Sequence, residues 1–315
     1  MVDIGDGGGG LYLGIEIGGT KLQVFAGDDQ ARVVERHRFQ VEPSQGGAGI
    51  RTQLEHIIPP LAKRVRPKSV GVGFGGPVDW KTGRICRSHQ IEGWSEFPLA
   101  SWLNSLAEAP VVVDNDANLG ALGEAICGAG LGFSPVFYVT LGSGVGGGLV
   151  LDGKVYHGAT PGESEIGHIR LDRSGTLLES RCSGWAVDAR IRSVVAREKD
   201  SLLARNVGSA PAHEAKFLAA ALAQNDPLAA GILEETAQDL ALGLSHVVHL
   251  FHPAIVVLGG GLSLIGEPFR ATVEQALPGF LTEAFAPGPV IALARLAEDS
   301  VPVGALCLAL SRQIP

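Results

Sequence analysis

The feature that most constrains the fold of this chain is a pattern that occurs twice. A β-type run, a glycine-rich turn and a second β-type run occupy residues 11–26, and the same order returns at residues 136–151. The turns are residues 18–20 and 142–148. Glycine suits such turns because it adopts positive φ and lets another backbone or a ligand approach closely. The repeat is much longer than the roughly 20–50 residues of a solenoid, so it predicts two related lobes, each containing a β-hairpin.

Between and after the two copies, strand and helix patterns alternate. Beyond the hairpins, the predicted strands are 32–39, 69–74, 111–113, 254–258 and 289–294. The predicted helices are 50–64, 98–107, one that begins at about 116, 185–198, 212–223, 227–251, one from 267 and one from 301. Pro59-Pro60 predicts a kink or break in the first helix, since proline lacks the backbone donor. The alternation is typical of an α/β protein whose sheets are covered by helices.

The composition excludes several classes of protein. Hydrophobic residues make up 45% and charged residues 18%, which allows a sizeable core and excludes intrinsic disorder. The formal net charge of -8 argues against a dedicated nucleic-acid-binding protein. No apolar stretch reaches the roughly 18 residues of a membrane span, and the glycine-rich start lacks the features of a signal peptide. Four dispersed cysteines predict a reduced, cytoplasmic setting.

Two common phosphate-binding motifs do not fit the glycine-rich turns. The Walker A motif ends in Gly-Lys-Ser/Thr before a helix, whereas here Thr20 precedes Lys21 and a strand follows. The dinucleotide fingerprint G-x-G-x-x-G occurs at Gly142, Gly144 and Gly147, but it requires a helix next, whose N-terminus holds the pyrophosphate. A β-type run follows instead, which argues against an NAD site.

The interpretation that fits both copies is a pair of β-hairpins whose turns offer backbone N–H groups to the phosphates of a nucleotide. Thr20, Thr140 and Ser143 would add hydroxyl donors. Alternatively, the glycines shape the hairpin turns and have no further role. A third glycine run, Gly259-Gly260-Gly261, favours the phosphate-binding interpretation.

Six segments resemble, in the same order, the motifs of the ROK family of sugar kinases, within the actin/hexokinase-like ATPase superfamily. They are the first phosphate motif at 14–21, the sugar-side loop at 75–79, the catalytic motif at 114–118, the second phosphate motif at 140–148, the sugar signature at 165–168 and the adenosine-side motif at 257–263. The resemblance implies a two-lobed α/β fold of the actin/hexokinase (ribonuclease H-like) type with duplicated hairpin-containing domains. A small lobe of residues 11–115 and about 297–315 would be joined to a large lobe of residues 116–296.

The resemblance also implies transfer of the γ-phosphoryl group of ATP to a hexose, with glucose as the expected substrate and glucose 6-phosphate as the product. By the same resemblance, Asp116 would be the general base. Its position after a short strand, where the next helix begins, suits this role, because the helix dipole favours the ionised carboxylate. From spacing alone, Asp116 could equally be the N-cap of that helix. The alternative functions are a kinase for fructose, mannose or an N-acetylhexosamine, and a sugar-binding pseudo-kinase.

The same resemblance suggests the other site residues. Those expected to contact the sugar are Gly76, Asn115, Glu165, His168 and Glu179. Those expected to contact the nucleotide are Gly18, Gly19, Thr20, Lys21, Thr140, Gly142, Ser143, Gly144, Gly259, Gly260 and Gly261. From spacing alone, Glu165 and His168 could instead be an i,i+3 surface pair. The expected partners are a sugar and ATP, not nucleic acid or a membrane, and the family implies a homodimer.

The sequence departs from the family pattern at several places. Glu16 stands where the family usually has an aspartate that helps to organise Mg²⁺, so Glu16 is the candidate for an indirect magnesium contact. Most of the family carries a structural zinc site of one histidine and three cysteines, but residues 169–178 contain no cysteine, so no zinc is predicted. Gly75 replaces the usual proline of the sugar-side loop, and Gln90 stands near where an asparagine often contacts sugar. These changes leave the identity of the sugar open.

Overall fold

The structure is a computed structural model of the chain and describes residues 10–19, 21–86, 93–160, 162, 164–208 and 212–311. These residues form two compact units. Unit 1 consists of the described residues of Met1–Gly123, His157–Glu163 and Asp299–Pro315, and unit 2 of those of Glu124–Tyr156 and Ser164–Glu298. The division into lobes of residues 11–115 with about 297–315, and of residues 116–296, stays a prediction.

Strands and helices alternate along the chain in both units. The strands are β1 (Tyr12–Ile17), β2 (Lys21–Gly27), β3 (Val33–Gln40), β4 (Val70–Phe74), β5 (Val78–Asp79), β6 (Arg84–Ile85), β7 (Val111–Asn115), β8 (Val136–Leu141), β9 (Val145–Leu151), β10 (Lys154–Val155), β11 (Ile255–Gly259) and β12 (Val290–Leu293). The α-helices are α1 (Gly46–Val65), α2 (Leu99–Ala107), α3 (Asp116–Cys127), α4 (Glu179–Cys182), α5 (Gly184–Val195), α6 (Leu202–Val207), α7 (Leu218–Leu222), α8 (Pro227–Phe251), α9 (Glu267–Ala276) and α10 (Ser300–Ser311). Helix α8 has the predicted limits.

Unit 1 is organised around a sheet whose described strands follow the order β3-β2-β1-β4-β7. The pairs β1–β2 and β2–β3 are antiparallel, whereas β4 pairs in parallel with both β1 and β7. Buried leucine and isoleucine side chains of α1 and α2 form one core cluster with those of the sheet. Helix α10 contacts β1 and β4, and the hydroxyl of Ser69, next to β4, donates to the α10 carbonyl of Ala309 at 2.7 Å.

Unit 2 contains a sheet with the equivalent order β10-β9-β8-β11-β12. Here β8–β9 and β9–β10 are antiparallel, and β11 pairs in parallel with β8 and β12. Helices α5, α8 and α9 supply much of its apolar core. Each unit thus has an antiparallel hairpin followed by parallel strands, which confirms the duplicated, hairpin-containing α/β fold.

The break predicted in the first helix does not occur. Pro59 and Pro60 lie inside α1, which continues from Gly46 to Val65. Proline has a φ close to that of a helix, so the chain can pass through both residues if other interactions offset the lost backbone donors. Ile58 and Leu61, on either side of the pair, are almost completely buried in the core of unit 1, and full burial of such a side chain stabilises the fold by about 1.5–3 kcal/mol.

The second glycine-rich turn is shorter than the sequence predicts. Strand β9 begins at Val145, so Gly146, Gly147 and Gly148 pair with β8 instead of forming part of the turn. Close packing explains why glycine is needed within this strand, because a Cβ on Gly147 would lie 2.7 Å from the carbonyl oxygen of Ser164. The turn proper consists of residues 142–144.

The helix predicted at 212–223 is also shorter. A 3-10 helix occupies Glu214–Phe217, and α7 follows it. The buried Glu214 accepts two hydrogen bonds of 2.8 Å from the guanidinium of Arg192, which fixes this segment against α5. Nothing in the sequence pattern pointed to α6.

None of the helices in the described ranges combines the length and the apolar character that are required to cross a bilayer.

Candidate active site

Three motifs of unit 1 meet because they follow three neighbouring parallel strands. Ile17 of β1 is in register with Phe74 of β4, which is in register with Asn115 of β7. The carboxyl ends of parallel strands lie at one edge of a sheet, which is where ligands bind in α/β proteins. The first glycine turn, the sugar-side loop and the catalytic motif therefore begin side by side.

Hydrogen bonds hold the sugar-side loop against its neighbours. The backbone N–H of Gly75 donates to the carbonyl of Ile17 at 2.8 Å. The side-chain amide of Asn115 donates to the carbonyl of Gly76 at 3.2 Å. A Cβ on Gly75 would lie 3.3 Å from Oδ2 of Asp116, so a glycine allows the loop to pass close to this carboxylate. Gly76, Asn115 and Asp116 are thus brought together.

The start of α3 explains how Asp116 is presented. Oδ1 of Asn115 accepts the N–H groups of Ala117 at 2.8 Å and Asn118 at 3.3 Å, so Asn115 is the N-cap and Asp116 is the first helical residue. Oδ1 of Asp116 accepts the N–H of Ala117 at 2.8 Å. The alternative interpretation of Asp116 as the cap is therefore wrong, and its carboxylate lies at a helix N-terminus, where negative charge is stabilised.

Asp114 anchors this turn from within the protein. Its side chain is 2% exposed. Oδ1 accepts the N–H of Asn115 at 2.8 Å and the amide of Asn118 at 2.9 Å, and Oδ2 lies 2.6 Å from Nε2 of His157. Sequence reasoning included Asp114 in the catalytic motif but missed His157, because no local pattern connects two residues so far apart.

The first phosphate turn follows β1. The N–H of Gly18 donates to the carbonyl of Lys21 at 2.8 Å and closes the hairpin around Gly19. Oε2 of Glu16 accepts the amide of Gln23 at 2.6 Å and lies 3.3 Å from Nζ of Lys21. Thr20, predicted to contact the nucleotide, lies outside the described residues, as does Gln90.

In unit 2, the second phosphate turn and the glycine run after β11 adjoin one another. Thr140 of β8 pairs with Gly259 of β11, just before the turn that contains Gly142, Ser143 and Gly144. Gly260 has a φ of 78°, and a Cβ there would lie 2.5 Å from the backbone nitrogen of Leu141. The predicted nucleotide-contacting residues of this unit therefore share one region.

Glu179 contacts the residue that directly follows the second phosphate turn. Oε2 of Glu179, at the start of α4, accepts the N–H of Val145 at 2.9 Å. The next segment is attached as well, since the N–H of Gly184 donates to the carbonyl of Gly142 at 2.7 Å. Glu179 therefore supports a glycine turn in addition to its predicted contact with sugar.

The sugar signature forms a 3-10 helix, Ile166–His168, beside the start of β9. A Cβ on Gly167 would lie 2.2 Å from the carbonyl oxygen of Val145. Nδ1 of His168 lies 3.8 Å from Oε2 of Glu165, and the two side chains are 64% and 43% exposed. This is the i,i+3 surface pair that the spacing allows, so both side chains are accessible to a ligand.

Residues 169–178, where the resemblance would place the zinc motif, form a hydrogen-bonded hairpin. Leu178 N–H donates to the Ile169 carbonyl, and Leu171 N–H to that of Thr176. Oδ1 of Asp172 accepts bonds from Ser174, Gly175 and Thr176. The side-chain bonds from Ser174 and Thr176 hold the pKa of the Asp172 carboxyl well below its usual range.

The donors of a zinc site are not assembled in the part of the chain that the structure describes. No group of three or more His, Cys, Asp or Glu side chains there could hold a metal ion. Cys182 is buried, its Sγ lies 3.6 Å from the carbonyl oxygen of Thr236, and burial raises the pKa of its thiol. The residues described do not fit zinc, and its absence from the protein stays a prediction.

Comparisons with known proteins support the resemblance. The sequence model of the ROK family matches residues 12–312. A glucokinase of Halalkalibacterium halodurans is 30% identical over 307 residues, which cover 93% of this chain and 93% of that relative. An N-acetylgalactosamine kinase of Shewanella is 29% identical over 274 residues, or 86% of this chain and 88% of the relative. The crystal structure of a ROK family glucokinase from Streptomyces griseus with glucose and AMPPNP superposes with a TM-score of 0.84 and 30% identity over 96% of this chain and 100% of that chain.

Proposed function

Because this chain belongs to the ROK family, we propose that it phosphorylates glucose at the 6-hydroxyl with ATP as the donor. The chain is an ATP-dependent sugar kinase, as its glucokinase relatives and structural neighbours indicate. The observation that carries the proposal is the meeting of a glycine turn, a sugar-side loop and Asp116 at the ends of β1, β4 and β7. Phosphoryl transfer needs a positioned hydroxyl, a group that accepts its proton and donors for the phosphate charge.

Asp116 is the proposed general base. The sugar hydroxyl oxygen forms a bond to the γ-phosphorus as the bond from that phosphorus to the β,γ-bridging oxygen breaks. The hydroxyl proton passes to the Asp116 carboxylate, and ADP leaves with the electron pair. The bond from Ala117 N–H and the start of α3 hold the carboxylate in place.

The proposed sugar-binding residues all offer hydrogen-bonding groups. In unit 1, Gly76 and Asn115 lie next to Asp116 and would contact sugar hydroxyls. In unit 2, Glu165, His168 and Glu179 are proposed to do so. Side chains that require a hydroxyl partner discriminate strongly against molecules that lack one.

The proposed nucleotide contacts are the glycine turns. Gly18, Gly19, Thr20 and Lys21 in unit 1 would bind phosphate. In unit 2 the corresponding set is Thr140, Gly142, Ser143, Gly144, Gly259, Gly260 and Gly261.

We further propose that Mg²⁺ accompanies ATP. When bound, it would neutralise charge on the phosphates. Mg²⁺ in such sites usually keeps several waters and takes only one or two carboxylates besides the phosphates. A single carboxylate beside the first phosphate turn fits that requirement, so Glu16 is the residue that would hold the ion through water. Because Gln23 and Lys21 both contact its Oε2, they orient this carboxylate.

The proposal is tested by ADP release from MgATP over a panel of glucose, fructose, mannose and N-acetylated hexosamines. We expect the highest kcat/KM with glucose, and loss of turnover when Mg²⁺ is chelated. A higher kcat/KM for another hexose would support a sugar kinase but contradict glucose as its substrate. Nucleotide binding by calorimetry without turnover on any sugar would favour the pseudo-kinase.

A test of the phosphate-binding interpretation is Gly142→Ala. A Cβ at Gly142 would meet no atom within 4 Å, so the fold does not require glycine there. We expect unchanged thermal stability but a KM for MgATP raised about tenfold or more. The added methyl group would keep the phosphate from approaching the backbone N–H groups of the turn closely, and a hydrogen bond to a charged group contributes about 1.5–3 kcal/mol. Gly279→Ala, at an equally open position, is the matched control. An unchanged KM would mean that Gly142 only shapes the hairpin.

We also propose that the chain acts in the cytoplasm as a homodimer. ATP and a reducing environment, which suits its four cysteine thiols, are found there. Unit 2 exposes large apolar side chains, among them Tyr156, Leu250 and Phe251, which a partner subunit would cover. Sedimentation velocity should give twice the 32.7 kDa mass of one chain, and a monomeric mass at micromolar concentration would contradict the dimer.

A further inference from the structure

The buried carboxylate of Asp114 needs a donor at each oxygen. Oδ1 has two, the N–H of Asn115 and the amide of Asn118. Oδ2 lies 2.6 Å from Nε2 of His157. A carboxylate oxygen accepts hydrogen bonds, so the tautomer that fits this contact carries its hydrogen on Nε2 and makes His157 the donor. A buried charge without such partners is strongly destabilising.

Trp80 fixes the orientation of the His157 ring. The two rings stack with their centroids 4.2 Å apart and their planes 15° from parallel. Trp80 directly follows β5, which forms the last two residues of the sugar-side loop. Gly162 closes the arrangement, because a Cβ there would lie 3.2 Å from Cβ of His157 and 3.4 Å from Cδ1 of Trp80. The imidazole is therefore held between the sugar-side loop and the catalytic turn.

Along the chain, His157 is also connected to the sugar signature. Segment 157–163 groups with unit 1, whereas β10 before it and the 3-10 helix Ile166–His168 after it belong to unit 2. His157 is the first residue of this segment, which leads into the sugar signature. Its bond to Asp114 attaches the beginning of that segment to the turn that carries Asp116.

We propose that His157 is a positioning residue for phosphoryl transfer. It acts through Asp114, which holds the backbone of Asn115 and the side chain of Asn118, and so sets the place of Asp116. This inference rests on the proposed function, in which Asp116 is the base. In this proposal His157 itself contacts neither the sugar nor the nucleotide.

Two variants separate its hydrogen bond from its stacking. His157→Phe keeps an aromatic ring against Trp80 but removes the donor, whereas His157→Gln loses the ring and keeps an amide donor near the position of Nε2. We expect His157→Phe to lower kcat about 10²-fold, the loss typical of a small misplacement of a catalytic group. The KM for MgATP should stay close to that of the wild type, and His157→Gln should recover most of kcat. A structural role alone would not produce this order of the two variants.

Either of two kinetic results would contradict a positioning role for His157. A kcat for His157→Phe equal to that of the wild type, or an equal loss in both variants, would overturn the inference. If circular dichroism shows that His157→Phe is unfolded, His157→Asn replaces it. The shorter amide cannot reach Asp114, so a folded asparagine variant with full kcat would also overturn it.

A readout besides activity separates this inference from the proposed function. A hydrogen bond from an imidazole to a buried carboxylate gives a downfield, slowly exchanging N–H proton resonance, which should be present in the wild type and absent in His157→Gln. Its absence from the wild type would overturn the inference. A wild-type protein that shows the resonance but phosphorylates no sugar would contradict the proposed function and leave the contact itself supported.

Discussion

Replacement of Asp116 by asparagine should lower kcat by about 10²–10⁴-fold, the contribution typical of a general base. The amide cannot take the proton of the sugar hydroxyl at neutral pH. It still offers an oxygen to the N–H of Ala117, which the carboxylate now accepts at 2.8 Å, and Asn115 still caps α3. We therefore expect sugar and nucleotide binding by calorimetry to be retained while ADP release is lost.

The matched control is Glu124→Gln, the same chemical change on the same helix. Oε2 of the buried Glu124 accepts the N–H groups of Ala129 and Arg295, and Oε1 accepts that of Leu296. In the glutamine variant an amide NH2 replaces one of these acceptor oxygens, which leaves a buried N–H without its acceptor. We expect this to lower the free energy of unfolding by about 1–3 kcal/mol and to leave kcat unchanged. A kcat for Asp116→Asn within a few fold of the wild type would mean that Asp116 serves only the first turn of α3.

Replacement of Gly260 by alanine should have the largest effect on stability among the glycine variants of the proposed nucleotide site. Its φ of 78° and ψ of -178° belong to a region that only glycine occupies readily. Forcing another residue into such a region costs about 1–3 kcal/mol. A Cβ would also lie 2.5 Å and 2.6 Å from the backbone N and C atoms of Leu141, and overpacking of this kind costs a further 1–3 kcal/mol or so.

A Cβ at position 260 would push Leu141 away, and we expect this shift to affect nucleotide binding. Leu141 leads directly into Gly142, so we expect any folded Gly260→Ala protein to show a raised KM for MgATP as well as a lower midpoint in urea. Gly261→Ala is the control for stability, because a Cβ there has its nearest neighbour at 4.0 Å and the residue has no positive φ. Equal unfolding midpoints for the two variants would contradict the strained contact between Gly260 and β8.

Much of the fold could be predicted because it depends on local patterns. The limits of α8 follow from Asp226 and Pro227 at its start and the apolar periodicity behind them: Asp226 caps the helix by accepting the N–H groups of Leu228 and Ala229. The start of α3 at Asp116 follows equally from a short strand and a polar cap. The predicted start of β9 was wrong, because three consecutive glycines suggest a turn, whereas pairing with β8 keeps them in an extended conformation.

Only part of the candidate site can be predicted from the sequence, for the same reason. Asp116 and the glycine turns stand in short motifs whose chemistry can be read from consecutive residues. The partner of Glu179 could not be read in this way, because the carboxylate reaches a backbone N–H at Val145, 34 positions earlier. The hairpin at residues 169–178 could not be predicted either, since the hydrogen bonds to Asp172 form only when this segment folds back on itself.

The sequence by itself determined the duplicated hairpins, the α/β class, the family and the identity of the candidate base, because backbone propensity, hydrophobic period and motif spacing act over a few residues. Only the tertiary structure decided what each buried or half-buried carboxylate contacts. Asp114 and His157 are 43 positions apart, and they meet because the parallel register of β4 and β7 and the return of segment 157–163 bring them together. Such contacts depend on how whole elements pack, and packing is a property that no short stretch of sequence contains.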